Sequence, residues 1–335
     1  MPPQIDALLA ALPKSELHLH LEGSLEPATV MALAARHGVL LTAPEVNARY
    51  APGDFTQFIE AFKWVTSFLR SPADYALACE KLAETLLAQK VVYAEITLSV
   101  GVMLLRKQDP LANYAAIRAA TQPFEERGLR VQWIFDAVRQ FGVPAAMQVA
   151  KLAAACARDG VVAFGIGGDE LALPARDFAA VYDFVRGAGL QPLIHAGEIG
   201  DAHAVCDAIQ YLDVVRIGHG IAAMHDRALM KDLADRRIPL EICLSSNVRT
   251  GALACQLGRT EVSITDHPLR QLFEHGVPIV LGSDDPAMFG TSINGEYQVA
   301  ASLGMNEPEL RKLVRASFEY AFLEESAKKK YTSQP

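Results

Sequence analysis

Eight short apolar runs, each ending in polar or small residues, recur along most of the chain. Many of them are rich in Val and Ile, which is typical of strands buried on both faces of a parallel sheet. The runs occupy residues 17–22, 91–99, 131–138, 161–167, 192–198, 214–219, 239–247 and 278–285. They predict eight β-strands.

Segments with helical spacing separate these runs and are rich in Ala, Leu and charged residues; examples are residues 111–127, 144–158, 177–188, 201–212, 228–237 and 268–274. Several end in a glycine just before the next run, as helices often do: Gly128, Gly160, Gly189 and Gly276. Strands alternating with helices predict a closed (β/α)8 barrel, the TIM barrel. A doubly wound open sheet is the alternative, but it rarely needs eight evenly spaced units.

Two segments fall outside this alternation. Residues 54–88 are too long for one helix and predict a two-helix insertion after the first strand, and residues 306–328 predict a terminal helix. No low-complexity linker or internal repeat divides the chain, so we expect one metal-dependent barrel domain over residues 1–335.

Composition narrows the function classes. The 31 Lys and Arg against 39 Asp and Glu give a net charge of −8, which argues against a nucleic-acid or membrane-surface binder. Five cysteines without a C-x-x-C pair indicate reduced thiols. Residues 1–13 lack the basic region of a signal peptide, and no stretch is apolar enough to span a membrane. We therefore expect a cytoplasmic protein; its oligomeric state is not indicated.

The first predicted strand contains His18-Leu19-His20. Side chains alternate along a strand, so both imidazoles point to the same face and could form half of a metal site. The pair alone is weak evidence, because two packed histidines would give the same pattern.

Further polar residues follow three other predicted strands: His195 and Glu198, then His219, then Asp284 and Asp285. Each has an ordinary structural explanation, such as a helix cap or a core histidine. Together they lie at the ends of strands where barrel enzymes place their active sites, and buried charges are costly unless paired or metal-bound. The set therefore predicts a metal site.

The kinds of donor atom in this set indicate which metal would bind. His18, His20, His195 and one carboxylate would give three nitrogens and one oxygen, which suits Zn²⁺ and leaves a position for water. The fourth strand lacks the Lys with which binuclear barrel hydrolases often bridge two metals, and this favours one metal per chain. Glu198 lies close enough to a ligand to serve as a proton shuttle.

Six motifs in this chain resemble the adenosine deaminase family of the amidohydrolase superfamily. They are PKSELHLHLEG at residues 13–23, GDE at 168–170, HAGE at 195–198, RIGHG at 216–220, SSN at 245–247 and SDDP at 283–286. They occur in the family's order and, as a set, are highly specific.

The resemblance implies roles for the motif residues. His18, His20, His195 and Asp284 would hold one zinc, which acidifies a water that attacks C6 of a purine. The remaining groups would serve the substrate: Glu198 would protonate N1, His219 would orient the attacking oxygen, Asp285 would hydrogen-bond N7, and the backbone N–H of Gly168 would contact N3. Ammonia would leave, and a 6-oxo purine would remain.

Glu22 departs from the pattern of the best-known adenosine deaminases, which usually carry Asp there to contact the ribose. Glu is common in relatives that act on adenine, on N6-substituted adenines or on aminodeoxyfutalosine, and residues 249–251 and 287–291 resemble the last group. We predict zinc-dependent deamination of a small-molecule purine, adenosine or a similar nucleoside such as aminodeoxyfutalosine. The alternatives are deamination of adenine or N6-substituted adenine, a two-metal amide or ester hydrolase, and a non-catalytic purine- or metal-binding protein.

A stripe of Phe55, Phe58 and Phe62 continues to Val65 and Leu69 in the predicted insertion. Packing against the barrel is the favoured interpretation, and a lid over the purine is the other. Two cations are candidates for recognising an acidic substrate, Arg139 and Lys63. The five histidines outside the motifs are expected to be structural or on the surface: His37, His203, His225, His267 and His275.

Overall fold

The computed structural model describes residues 3–50 and 53–333. Its eight strands form one parallel sheet in chain order. The strands are β1 (Lys14–His20), β2 (Val91–Leu98), β3 (Arg130–Val138), β4 (Val161–Gly167), β5 (Gln191–Ala196), β6 (Arg216–His219), β7 (Leu240–Ile242) and β8 (Ile279–Leu281).

The ring closes between the end of β8 and β1. Leu19 and Asp284 form a parallel bridge, in which His20 N donates to Asp284 O at 2.8 Å and Asp284 N donates to His18 O at 3.0 Å. The predicted (β/α)8 barrel is therefore confirmed, and the open-sheet alternative is wrong.

The helices surround the ring and fill its connections. They are α1 (Pro3–Ala11), α2 (Pro27–Arg36), α3 (Ala43–Arg49), α4 (Phe55–Thr66), α5 (Pro72–Ala88), α6 (Val100–Leu105), α7 (Pro110–Glu126), α8 (Gly142–Ala155), α9 (Ala179–Gly187), α10 (Ala202–Leu212), α11 (Arg227–Arg236), α12 (Leu244–Arg249), α13 (Ala252–Leu257), α14 (Leu269–Glu274), α15 (Pro286–Phe289), α16 (Ile293–Ser302), α17 (Glu307–Glu319) and α18 (Glu325–Thr332). None of these described helices combines the length and apolar character needed to cross a membrane.

Local signals explain the predicted insertion, which forms α4 and α5. The Asp54 side chain accepts from Gln57 N at 2.8 Å and begins α4, and Ser71 forms a capping box with Asp74 at the start of α5. The sequence prediction missed α2 and α3, which lie between β1 and this insertion.

The last two strands are shorter than predicted. The apolar run at 239–247 leaves the sheet after Ile242 and continues as α12. The strand predicted over 278–285 ends at Leu281. Gly282 follows where a Cβ would be only 2.6 Å from the His18 Cβ, and Asp284 adopts a left-handed backbone with φ of 62°. Both departures turn polar side chains into the mouth of the ring.

The terminal helix predicted over 306–328 is wrong in detail, because it breaks into α17 and α18. Between them, Phe322 N donates to Glu95 at 2.6 Å, and Tyr320 O accepts from Arg216 at 2.9 Å. The connecting segment thus binds buried charges inside the barrel, and this tertiary contact interrupts the helix.

Candidate active site

Four imidazoles gather around one carboxylate at the carboxyl ends of β1, β5, β6 and β8. Asp284 Oδ1 lies 3.4 Å from His18 Nε2 and 3.3 Å from His20 Nε2, and its Oδ2 lies 3.8 Å from His219 Nε2. The ring of His195 is centred 4.8 Å from that of His18. The structure therefore brings all four predicted metal ligands together, with His219 beside them.

His18 has the hydrogen bonding expected of a metal ligand. Its Nδ1 lies 2.7 Å from Glu241 Oε2 and can only donate to that carboxylate, so in the neutral ring the lone pair is on Nε2. This Nε2 is buried and has no hydrogen-bond partner. Although burial opposes a charged ring, the interactions with Asp284 and Glu241 raise the pKa of His18 to about 10. The position thus favours a cation at Nε2, and the residues present fit a divalent metal.

The other imidazoles are neutral at neutral pH. Burial lowers the pKa of His20 to about 4 and that of His219 to about 3, and it lowers the pKa of His195 well below its usual value. Neutral imidazoles are the form that binds metals. Within the described part of the chain, two sets of possible ligand atoms lie within 4.8 Å of one another. One set is His18, His195, His219 and Asp284, and the other is His20, Asp284 and Asp285.

Two acidic groups beside the cluster are positioned to hold protons. Burial, followed by the charge of Asp284, raises the pKa of Glu198 to about 8, and the same two causes raise the pKa of Asp285 well above its usual range. Glu198 Oε2 lies 3.6 Å from His219 Nε2. A protonated carboxyl can donate a hydrogen bond, so both groups can address the nitrogen acceptors of a heterocycle.

Backbone strain coincides with the site. His219 and Asp284 both have left-handed backbones, with φ of 59° and 62°. Such conformations are costly for residues other than Gly and tend to cluster at functional positions. Gly23 also packs closely here, because a Cβ on it would lie within 2.3 Å of the Asp285 side chain.

The sequence analysis assigned no role to Glu170, although it lies in the GDE motif. Its carboxylate accepts from the backbone amides of four successive residues, with distances of 3.1 Å to Glu198 N, 3.0 Å to Ile199 N and 2.9 Å to Gly200 N; Gly197 N is the fourth donor. Glu170 therefore fixes the loop that carries Glu198.

A second missed group lies beneath the metal ligands. Glu241 joins His18 to Arg216, whose Nε lies 2.6 Å from Glu241 Oε1 and whose Nη2 lies 2.5 Å from Glu95 Oε2. The three charged residues are at most 4% exposed. They form a paired network inside the barrel, which is the condition under which buried charges are tolerated. Arg216 belongs to the quoted RIGHG motif, but no sequence signal identified its partners.

Of the three predicted substrate contacts, Gly168 and Glu22 lie differently with respect to the central cavity. Gly168, with φ of 90°, borders the central cavity. Glu22 is buried and its Oε1 accepts from Ser99 N at 3.0 Å, while Oε2 has no partner. Burial raises the pKa of Glu22 to about 7. Ser99 borders the cavity, whereas Glu22, which it binds, does not.

The cavity has a volume of about 250 Å³ and joins two chemically distinct regions. Its polar end contains His20, His195, Glu198, His219, Asp284 and Asp285. Its apolar wall comes mainly from α4, through Phe55, Phe58, Ile59 and Phe62. Val65 and Leu69 are fully buried, so the aromatic stripe both packs on the barrel and forms this wall.

The two cations proposed to recognise an acidic substrate lie in different places relative to the cavity. Arg139 is 2% exposed and donates to the backbone oxygens of Leu173, at 3.2 Å, and His195, at 2.5 Å. It holds loops together and does not border the cavity, so the expectation that Arg139 faces substrate is wrong. Lys63 borders the cavity and pairs with Glu60 at 2.7 Å on the exposed side.

Comparison with known proteins agrees with this geometry. The sequence matches the adenosine deaminase family over residues 13–334. It is 37% identical to an aminodeoxyfutalosine deaminase of Streptomyces coelicolor, covering 98% of this chain and 84% of that protein. It is 33% identical to an adenine deaminase of Rhizobium meliloti, covering 96% and 98%. The crystal structure of an adenine deaminase from Arthrobacter aurescens matches with a TM-score of 0.89 at 28% identity, covering 96% of this chain and 98% of that one. The chain is therefore a hydrolytic deaminase that belongs to the adenosine deaminase family.

Proposed function

We propose that this enzyme is a zinc-dependent deaminase of a 6-aminopurine nucleoside, which it converts to the 6-oxo product and ammonia. The observation that carries the proposal is the buried Glu198 carboxyl, whose raised pKa keeps a proton beside a cluster of histidines and an aspartate. Deamination at C6 needs a proton for the ring and a nucleophile on the same side of the site, and this arrangement supports both.

The metal would be held by His18, His20, His195 and Asp284. Three nitrogens and one oxygen are the donors typical of catalytic zinc. A divalent cation there supplies the positive charge that makes water acidic enough to act as a nucleophile near neutral pH.

The surrounding residues would divide the remaining work. Glu198 would give its proton to N1 of the purine and so make C6 more electrophilic. His219 would orient the attacking water. Purine N7 is a hydrogen-bond acceptor, and the raised pKa of Asp285 supports a donor at that position. The backbone N–H of Gly168, at the edge of the cavity, would face N3.

The shape of the cavity favours a substrate larger than the free base. Besides the polar end, the aromatic wall of α4 and Lys63 border the cavity. A nucleoside with an apolar substituent and a terminal carboxylate would use both features. The nucleoside that we assign to this cavity is aminodeoxyfutalosine, for which the Streptomyces coelicolor relative is named.

Adenine is the second candidate, and one observation favours it. Glu22 is already bonded to Ser99 and does not border the cavity, so it is not presented to a ribose. The Rhizobium meliloti relative is named an adenine deaminase.

Values of kcat/KM for adenosine, adenine and aminodeoxyfutalosine, measured by ammonia release, would test the proposal. We expect a nucleoside to be preferred, with aminodeoxyfutalosine first. A preference for adenine would replace the nucleoside assignment, and no ammonia from any of the three would overturn the proposal. Metal analysis of the purified protein should give one zinc per chain; two metals would favour the hydrolase alternative.

A further inference from the structure

A chain of hydrogen bonds runs from the backbone before α14 into the active site, and every proton in it can be assigned. It starts at Leu269 N, which donates to His267 Nδ1 at 3.1 Å. A backbone amide can only donate, so His267 Nδ1 is an acceptor. Burial lowers the pKa of His267 to about 3, so the ring is neutral and its single proton is on Nε2.

The next two links follow from that proton. His267 Nε2 lies 3.1 Å from Asn247 Oδ1 and donates to it. The amide nitrogen of Asn247 then points to the other side, where its Nδ2 lies 3.0 Å from His219 Nδ1. An amide NH₂ can only donate, so His219 Nδ1 is an acceptor.

We propose that Asn247 and His267 are positioning residues that hold His219 in the tautomer protonated at Nε2. In this form His219 Nε2 points an N–H towards Glu198 Oε2, at 3.6 Å, and Asp284 Oδ2, at 3.8 Å. A nitrogen that carries a proton has no lone pair for a metal. The hydrogen-bond chain therefore excludes His219 from the metal ligands, although it lies among them, and makes it a hydrogen-bond donor to the reacting oxygen.

His18 shows the opposite arrangement at the same centre. Its Nδ1 donates to Glu241, so its Nε2 carries the lone pair once the ring is neutral, as it must be to bind a metal. Two imidazoles whose centroids are 5.1 Å apart thus receive opposite tautomers from their neighbours. One neighbour is a carboxylate, which only accepts, and the other is an amide nitrogen, which only donates.

The residues of this hydrogen-bond chain are buried, so water does not compete for their hydrogen bonds. Asn247 is 0% exposed, His219 is 1% exposed and His267 is 6% exposed. The three residues come from separate parts of the chain: α12, the end of β6 and the segment before α14. The two links that join His267, Asn247 and His219 connect residues that are 20 and 28 positions apart, so they depend on the assembled barrel.

The direct test is ¹⁵N NMR of the metal-loaded protein with labelled imidazoles, in which His219 is identified by loss of its signals in His219→Gln. We expect His219 Nε2 to carry a proton and Nδ1 to be bare. A proton on Nδ1, or a metal on Nε2, would overturn the proposal. The inference rests on the proposed site but not on turnover, so this readout stays valid if no purine is deaminated.

One substitution should reverse the direction of the hydrogen bond between residue 247 and His219. In Asn247→Asp the new carboxylate can only accept, so we expect the proton of His219 to move to Nδ1. Loss of one hydrogen-bond donor to the reacting oxygen should lower kcat by about 10²–10³-fold. KM should change little, because Asn247 does not border the cavity. A fall in kcat with the parent ¹⁵N pattern retained would reduce Asn247 to a structural role and contradict the proposal.

Asn113→Asp is the matched control. Asn113 is 2% exposed in α7, and its amide donates to Gln108 Oε1 at 3.1 Å. The control makes the same chemical change in a buried residue away from the site, and it should leave the His219 spectrum unchanged. If Asn247→Asp does not fold, His267→Gln and His267→Leu replace it. The Gln variant keeps a donor to Asn247 and should preserve the single tautomer, whereas the Leu variant should give both tautomers. Identical spectra for the two would contradict the proposal.

Discussion

Adjacent residues in the SDDP motif carry opposite protonation states. Although burial acts against it, His18 and the neighbouring imidazoles hold the pKa of Asp284 well below its usual range. Burial and the charge of Asp284 itself raise the pKa of Asp285 well above that range. One carboxylate is therefore available to a cation while its neighbour keeps a proton. Groups whose surroundings push their pKa values apart are typical of acid–base catalysis.

Removing the ionisable group of Glu198, the proposed proton shuttle, should affect the chemical step. Glu198→Gln keeps the size of the side chain but cannot transfer a proton, so we expect kcat to fall by about 10²–10⁴-fold with zinc content unchanged. Steady-state kinetics and metal analysis of the same preparation would check this. Turnover close to that of the parent would remove Glu198 from this role.

Replacing Glu170 should lower kcat almost as much as replacing Glu198, although the Glu170 carboxylate contacts only backbone amides. In Glu170→Gln the side-chain NH₂ meets backbone N–H groups, so the loop at residues 197–200 loses its anchor and Glu198 shifts. A misplaced catalytic group can cost about 10²-fold, and we expect a fall in kcat of that order. Asp201→Asn, at the exposed N-cap of α10 beside the same loop, is the control and should stay near the parent rate. Equal rates for the two variants would contradict a positioning role for Glu170.

Among the secondary structure elements, α4 packs on the barrel through apolar side chains, and Arg106 binds its C-terminal end. Arg106, which follows α6, donates to Thr66 O at 2.7 Å, Lys63 O at 2.9 Å and Thr66 Oγ1 at 2.8 Å. A cation at a helix C-terminus also complements the helix dipole. Because α4 forms the apolar wall of the cavity, this contact places the wall.

Cutting that contact should loosen the wall without touching the catalytic groups. We expect Arg106→Gln to raise KM, to leave kcat near that of the parent, and to speed amide hydrogen exchange within residues 55–66. Lys81→Gln, which removes an exposed ion pair on α5, should change none of these. Unchanged exchange in α4 of the Arg106 variant would show that packing alone holds the helix.

The elements also show what could be predicted from the sequence. Strands and their polar ends were predictable because each signal lies within a few consecutive residues. The end of α17 was not predictable, because the chain turns there to meet Glu95 and Arg216, which lie far away in the sequence. The contact of His18 with Glu241, 223 positions away, was not predictable for the same reason. The metal ligands could be proposed from motifs, whereas the roles of Glu170 and Asn247 depend on partners that only the fold brings near.

At the scale of the whole molecule, the buried network of Glu95, Arg216 and Glu241 links His18, one of the proposed metal ligands, to the C-terminal segment. Burial raises the pKa of Glu241, but the charge of Arg216 and the hydrogen bond with His18 outweigh it and lower that pKa from 4.5 to about 2. A lower pKa in the folded than in the unfolded chain means that this carboxylate stabilises the fold above pH 4.5.

The stabilisation should be lost as pH falls from 4.5 towards 2. We expect the free energy of unfolding of the metal-free protein to fall over this range, and Glu241→Gln to lose part of that dependence. At pH 7 the variant should be less stable by roughly 3 kcal/mol, because it removes one partner of a buried charge pair. Urea denaturation at a series of pH values would measure both; the same pH dependence in the variant would show that other carboxyls dominate.

The seam of the barrel has one more consequence. His18 and His20 end the first strand, and Asp284 follows the last one, so the donor set spans nearly the full length of the polypeptide. A nascent chain still on the ribosome has no complete site until residue 284 has emerged. Binding of a metal at this site would thus be coupled to the final closure of the ring, and the bound ion would fasten the first strand to the segment that follows the last one.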